Sequence, residues 1–121
     1  MTEENNEIET IARLENEMNV LMNLSAYYTE ESRQLEKERK KAYITNKVVS
    51  ELHEPCTIYE SIGKCFIGTS KAHASAAAAK SVKACDELIQ SLQSKRAKTD
   101  DGIQKVKESY TQACEDLKRD R

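Results

Sequence analysis

The chain has 121 residues, one domain's worth, with 38% hydrophobic and 33% charged residues, one Phe, no Trp and a net charge of −2. That balance is too polar for a compact multilayer core, yet it supplies the Leu, Ile, Met and Ala of a coiled-coil seam. No apolar run is long enough to span a membrane, and the acidic start from Met1 to Glu9 does not read as a secretory signal, so the cytoplasm is the expected compartment and nucleic acid is not an expected partner.

In the first segment, residues 6–44, apolar positions recur at alternating steps of three and four. Ile11, Leu14, Met18, Leu21, Ser25, Tyr28, Ser32, Leu35, Arg39 and Ala42 share one a/d frame, with charged residues on the other faces. The spacing predicts a coiled-coil helix whose stripe weakens toward Ala42, because Ser25, Ser32 and Arg39 are poor seam residues. Thr45 then reads as the N-cap of a short second helix over 45–54, carried by Val48, Val49 and Leu52. Pro55 closes it, since proline disfavours helix at the residue before it.

Residues 56–70 stop reading as helix. β-Branched and aromatic side chains cluster from Thr57 to Ile67, and Gly63-Lys64 fits a two-residue hairpin turn with Gly at its first central position. With that turn, Ile62 faces Cys65, Ser61 faces Phe66, Glu60 faces Ile67 and Tyr59 faces Gly68. A lone two-stranded ribbon is marginal in water. Burying Ile58, Tyr59, Ile62, Phe66 and Ile67 contributes on the order of 10 kcal/mol at ~2 kcal/mol each, and one chain has little to bury them against. The ribbon's edges are therefore expected to pair with other chains.

The last segment, residues 71–118, is again helical. Ala74 and the run Ala76 to Ala79 are strong helix formers whose small side chains let another element come close, which predicts a crowded region. Its stripe begins as Cys85, Leu88, Leu92 and resumes as Ile103, Val106, Tyr110, Ala113, Leu117. The interval of eleven from Leu92 to Ile103 predicts a stutter that locally unwinds a supercoil, with Gly102 beside it weakening the helix. Residues 1–31 carry eight acids and one base, net −7, and residues 95–121 carry eight bases and six acids, net +2, so a chain that folds back at the ribbon places opposite charges side by side.

Chemistry-bearing constellations do not emerge. Cys56, Cys65, Cys85 and Cys114 form no C-x-x-C pair and read as small buried hydrophobes, and His53 and His73 read as helix-surface or packing residues. There is no Ser/His/Asp set and no Gly-rich phosphate loop, and the carboxylates lie on solvated helix faces. No enzyme, metal site or cofactor is expected.

Lys40-Lys41-Ala42, then Val49 and Leu52, then Tyr59-Glu60-Ser61-Ile62-Gly63-Lys64-Cys65-Phe66-Ile67, and Ser70-Lys71 together resemble the β-type subunits of prefoldin, those of eukaryotes most. The specific part is the Tyr-x-x-(Ile/Val)-Gly-(Lys/Arg)-x-Phe-Ile ribbon. The motif match spans roughly residues 40–72, and the rest matches by architecture; the Ala74–Ala79 run and Cys65 depart from the family pattern. The resemblance implies a mainly α fold, an antiparallel coiled-coil helical hairpin with one two-stranded β-hairpin at the bend, as a single domain over 1–121. It also implies a subunit of a hexameric, ATP-independent co-chaperone. Such a hetero-oligomer of prefoldin subunits captures unfolded proteins of the actin and tubulin type and delivers them to the cytosolic chaperonin, with no cofactor.

Carried over residue by residue, Ile58, Tyr59, Ile62, Gly63, Phe66 and Ile67 become oligomerisation residues. Client-binding tips fall on Ile8, Ile11, Leu14 and Met18 beside Ile103, Val106, Tyr110 and Leu117, where fraying helix ends free apolar groups, although each position also reads as a seam residue. Met18 and Met22 suit irregular surfaces. The alternatives are a structural coiled-coil adaptor that dimerises without chaperone activity, or a small tubulin-folding cofactor built as a helical bundle. Neither needs Tyr59 to Ile67 in extended form.

Overall fold

The computed structural model describes residues 2–54 and 56–119. Helix α1 spans Thr2–Glu51, strands β1 and β2 span Ile58–Ile62 and Cys65–Thr69, and helix α2 spans Lys71–Arg119. Two long helices with a two-stranded antiparallel hairpin between them are the fold class expected from the sequence.

The break expected at Thr45 is absent: α1 is continuous through it, and there is no separate helix over 45–54. The reason lies in the frame. Past Ala42 the alternation of four and three runs on to Asn46 and Val49, which face inward while Thr45 is exposed, so seam packing continues through the position that carried the capping signal. Local capping preference, worth about 1 kcal/mol, does not stop a helix whose buried face goes on. Pro55 lies outside the described residues.

The end of α1 tightens, with the Leu52 amide donating to the Val49 carbonyl at 3.2 Å. No basic residue occupies the last turn of α1, and the cation comes from the next helix: Lys71 Nζ donates to the Leu52 carbonyl at 2.8 Å. At the start of α2, Ser70 Oγ accepts the His73 amide at 3.1 Å, an N-cap that satisfies one of the helix's first free donors.

The hairpin register agrees with the sequence reading: Tyr59 faces Gly68, Glu60 faces Ile67, Ser61 faces Phe66 and Ile62 faces Cys65. Gly63 has φ +60° and no non-glycine among the described residues has positive φ. Positive φ at the first central residue alone is the type II′ pattern, which matches the twist of the strands.

The chain divides into two compact units, one of Met1–Glu31 with Leu92–Arg121 and one of Ser32–Ser91. In the first, the acid-rich N-terminal arm and the basic C-terminal segment share a unit, as their charges led one to expect. Among its described residues Leu14 and Thr99 are buried, and Gly102 faces Leu21. The poor seam residue Ser25 donates to Asp100 Oδ1 at 3.0 Å. In the second unit Val49, Ala78, Cys85 and Ile89 are buried. Arg39 donates to Asp86 Oδ1 at 2.7 Å, and Ser75 donates to Asn46 Oδ1 at 2.7 Å. Ser25, Arg39 and Asn46 are thus partnered across the helix pair, whereas the Thr99 hydroxyl donates to the Lys95 carbonyl of its own helix at 2.9 Å.

Three further expectations change. Ile89, 4% exposed, occupies the α2 seam, and Leu88, 53% exposed, does not. With Ile89 in place the frame runs Cys85, Ile89, Leu92, Arg96, Thr99, Ile103, Val106, Tyr110 without a slip, so there is no stutter; Arg96 and Thr99 concealed it because they are polar. The alanine run is crowded only at Ala78, which is buried. Ala76, Ala77 and Ala79 are exposed, and Ala42, Val49, Ala74, Ala77, Ile58 and Tyr59 line a groove of about 290 Å³ over it. Lastly, all four cysteines are free but only Cys85 is buried; Cys56 and Cys65 are exposed on and beside the ribbon. His53 lies beyond the end of α1, and His73, in the first turn of α2, stands 3.9 Å from the Glu60 carboxylate.

Candidate functional site

Strand alternation sorts the ribbon's side chains into two faces. Ile58, Glu60 and Ile62 share one face with their partners Thr69, Ile67 and Cys65, and Tyr59 and Ser61 share the other with Gly68 and Phe66. Both faces carry large apolar groups, and both are open. Phe66 is 72% exposed and Tyr59 65%, Ile62 and Ile67 are more than half exposed, and only Ile58 and Thr69, at the helix end of the ribbon, are half-buried. A sheet of two strands also leaves its two outer edges unpaired. The five apolar residues nominated from the sequence therefore sit together on one exposed element, and Gly63 makes the turn that brings them there.

The tip residues lie in the other unit and behave differently. Leu14 is buried, while Ile11, Met18, Ile103, Val106, Tyr110 and Leu117 are half-buried in the helix–helix seam; Ile8 is the exposed member of the set. The Tyr110 hydroxyl donates to Glu15 Oε1 at 3.1 Å, which, with a contact to Cys114, pushes the phenol above its ordinary value by favouring the protonated form. This is a seam contact, and nothing near it resembles a reacting centre. Three large exposed apolar groups in this unit were missed from the sequence, Val20, Leu24 and Tyr27, at steps of four and three on a flank offset from the seam; Met22, which the sequence had singled out, is exposed as well. The offset repeat was the available signal, but it is only three residues long.

A second apolar surface was also missed. Ile44 and Val48 are exposed on α1 and Leu52 just past its end, at steps of four, whereas in the sequence Val48 marked only helical period and Leu52 helical period and part of the family motif. Among the described residues no group of His, Cys, Asp and Glu could hold a metal ion, and no helix is long and apolar enough to cross a membrane. The Arg39 guanidinium, held above its ordinary value by the Asp86 carboxylate, remains a structural cation.

Three comparisons bear on identity. The family model described as "Prefoldin subunit" matches residues 6–116. Among solved structures, the prefoldin beta subunit from Thermococcus strain KS-1 superposes with a TM-score of 0.78 at 12% identity, covering 85% of this chain and 90% of that one. At that identity the likeness is one of fold. Characterised protein sequences give no match. With the family model matched over both helices and the ribbon between them, the chain belongs to the prefoldin family.

Proposed function

We propose that this chain is a subunit of an ATP-independent, hexameric co-chaperone that captures unfolded polypeptides of the actin and tubulin type in the cytoplasm and passes them to the chaperonin. The coarser part follows from membership: prefoldins are non-enzymatic chaperone subunits that assemble with one another. The observation that supports the finer reading is the ribbon, where Tyr59, Ile62, Phe66 and Ile67 stand in solvent on both faces of a sheet with two free edges. Such a surface gains its stability from sister ribbons. In this reading Ile58, Tyr59, Ile62, Phe66 and Ile67 form the assembly interface and Gly63 shapes it.

Client capture falls to the unit of Met1–Glu31 with Leu92–Arg121. Ile8 is exposed there, as are Val20, Leu24 and Tyr27. Ile11, Leu14, Met18, Ile103, Val106, Tyr110 and Leu117 serve the seam and meet a client when helix ends fray.

The test mixes the purified chain with its prefoldin partner subunits, measures the mass of the product, and follows aggregation of unfolded actin by light scattering. A hexamer that suppresses scattering is expected. A chain that stays outside any hexamer and leaves scattering unchanged defeats the reading. Ile62→Asp with Phe66→Asp should abolish the hexamer and keep helicity; a hexamer that persists in this variant removes the ribbon as the assembly surface.

A further inference from the structure

On the outer side of α1, away from Ala42, Asn46 and Val49 of the seam, Lys37, Lys41, Ile44 and Val48 follow one another at helical spacing, and Leu52 comes four residues on, just past the end of α1 at Glu51. Ile44 and Val48 are about half exposed and Leu52 somewhat less. Lys40 and Lys47 flank the line, and all four lysines are exposed. None of the four ammonium groups has an ion-pair partner among the described residues, in contrast to Arg39 on the inner side, which is committed to Asp86.

Two aliphatic side chains on the solvent face of the helix, with a third just past its end, are not needed for the helix pair, whose seam runs without them. Leaving them wet forgoes roughly 1.5 kcal/mol or more for each side chain.

We propose that this face docks an acidic amphipathic helix from a partner protein, its apolar stripe lying on Ile44, Val48 and Leu52 and its carboxylates meeting Lys37, Lys40, Lys41 and Lys47. The occupant follows from the two halves of the surface. Apolar groups at helical steps fit the anchors of a second helix at spacings of three and four. Unpaired lysines on its margin select negative charge, raise the encounter rate and reject a basic helix. The aliphatic stripe disfavours nucleic acid, which needs cations along a backbone track and aromatic platforms for bases. The stripe is on α1 and its end rather than on the ribbon, and it belongs to the unit of Ser32–Ser91 rather than to that of Met1–Glu31 with Leu92–Arg121, so it goes beyond client capture and does not rest on it.

The experiment uses the full chain, alone and assembled with its partner subunits. The probe is a fluorescent helical peptide with leucine at every third or fourth position and glutamate elsewhere, followed by anisotropy. Its controls are the same peptide with lysine for glutamate and phosphatidylserine-containing vesicles. The acidic peptide is expected to bind both forms, more weakly as salt rises, and the basic peptide and vesicles are expected not to.

Replacing Ile44, Val48 and Leu52 by Ser should weaken binding by about tenfold or more, and replacing the four lysines by Glu should do the same. Both variants should keep full helicity, assembly and suppression of actin aggregation, which separates this test from that of client capture. Equal binding of acidic and basic peptides, unchanged binding by either variant, preference for vesicles, or loss of binding on assembly because a sister subunit covers the face would each overturn the proposal.

Discussion

Single residues in this protein are informative where sequence preference and environment disagree. Gly102 lies inside a continuous helix, has no positive φ, and would place a Cβ 3.6 Å from a Leu21 methyl, an ordinary van der Waals distance. Nothing there requires glycine, and glycine costs about 0.5–1 kcal/mol relative to alanine in a helix. Gly102→Ala should therefore stabilise the chain by about that amount in thermal or denaturant unfolding; a lower midpoint would mean the helices approach more closely than this spacing indicates. The same residue-scale view explains why Ser25 and Arg39, poor in an apolar seam, occur there: each has a specific oxygen partner on α2, Asp100 and Asp86. Their hydroxyl and guanidinium were visible in the sequence, but the acceptors were not, because pairing across two helices is set by register and no local pattern reports it.

At the scale of elements, periodicity was a sound guide to what each segment is and a poor one to where it is interrupted. Both helices, the two strands and the register of the hairpin were legible, the last because a two-residue turn leaves one pairing. The apparent stops were not real. Thr45 resembles a cap and the interval from Leu92 to Ile103 resembles a slip, yet both helices run through, since a heptad frame tolerates polar residues at a few inward positions when the neighbours on either side stay packed. Choosing Leu88 over its neighbour Ile89 created the slip; by residue type the two are nearly equivalent, and burial alone separates them. Ile89→Ala should destabilise by roughly 2–4 kcal/mol, whereas Leu88→Ala should change stability by less than about 0.5 kcal/mol. Chemical denaturation of the two variants checks the frame, and comparable losses would contradict it.

For the molecule as a whole, the consequence is a division of labour between burial and exposure. The described residues bury few side chains, and none completely, so stability comes from many half-buried seam contacts spread along each unit. The most exposed large apolar side chain, Phe66, is on the ribbon, the element least able to stand alone. Gly63→Val tests this dependence. A β-branched side chain at φ +60° costs roughly 1–2 kcal/mol, a small loss beside the helices but a large one for a marginal hairpin. Amide exchange across Ile58–Thr69 should rise, α1 and α2 should keep their protection, and assembly with partner subunits should fail. Retained assembly would show that the ribbon's shape is not what sister chains recognise.

The candidate assembly residues were legible because the ribbon is a short, compositionally distinct segment whose turn glycine and β-branched neighbours announce its geometry locally. Client-binding positions were less so. Sequence periodicity reports which residues repeat on a face but not which face is covered, and most of the nominated tips are half-buried. Amino-acid order alone determined the two helices, the turn, the strand pairing and, through the Tyr59–Ile67 motif, the family resemblance, all of which depend on near neighbours. Only the folded pair of helices decided that Ile89 rather than Leu88 goes inside, that the alanine run lines an open groove, and that Val20, Leu24, Tyr27, Ile44, Val48 and Leu52 remain in water. Burial is a property of what lies opposite, and residues opposite one another here are dozens of positions apart in the chain.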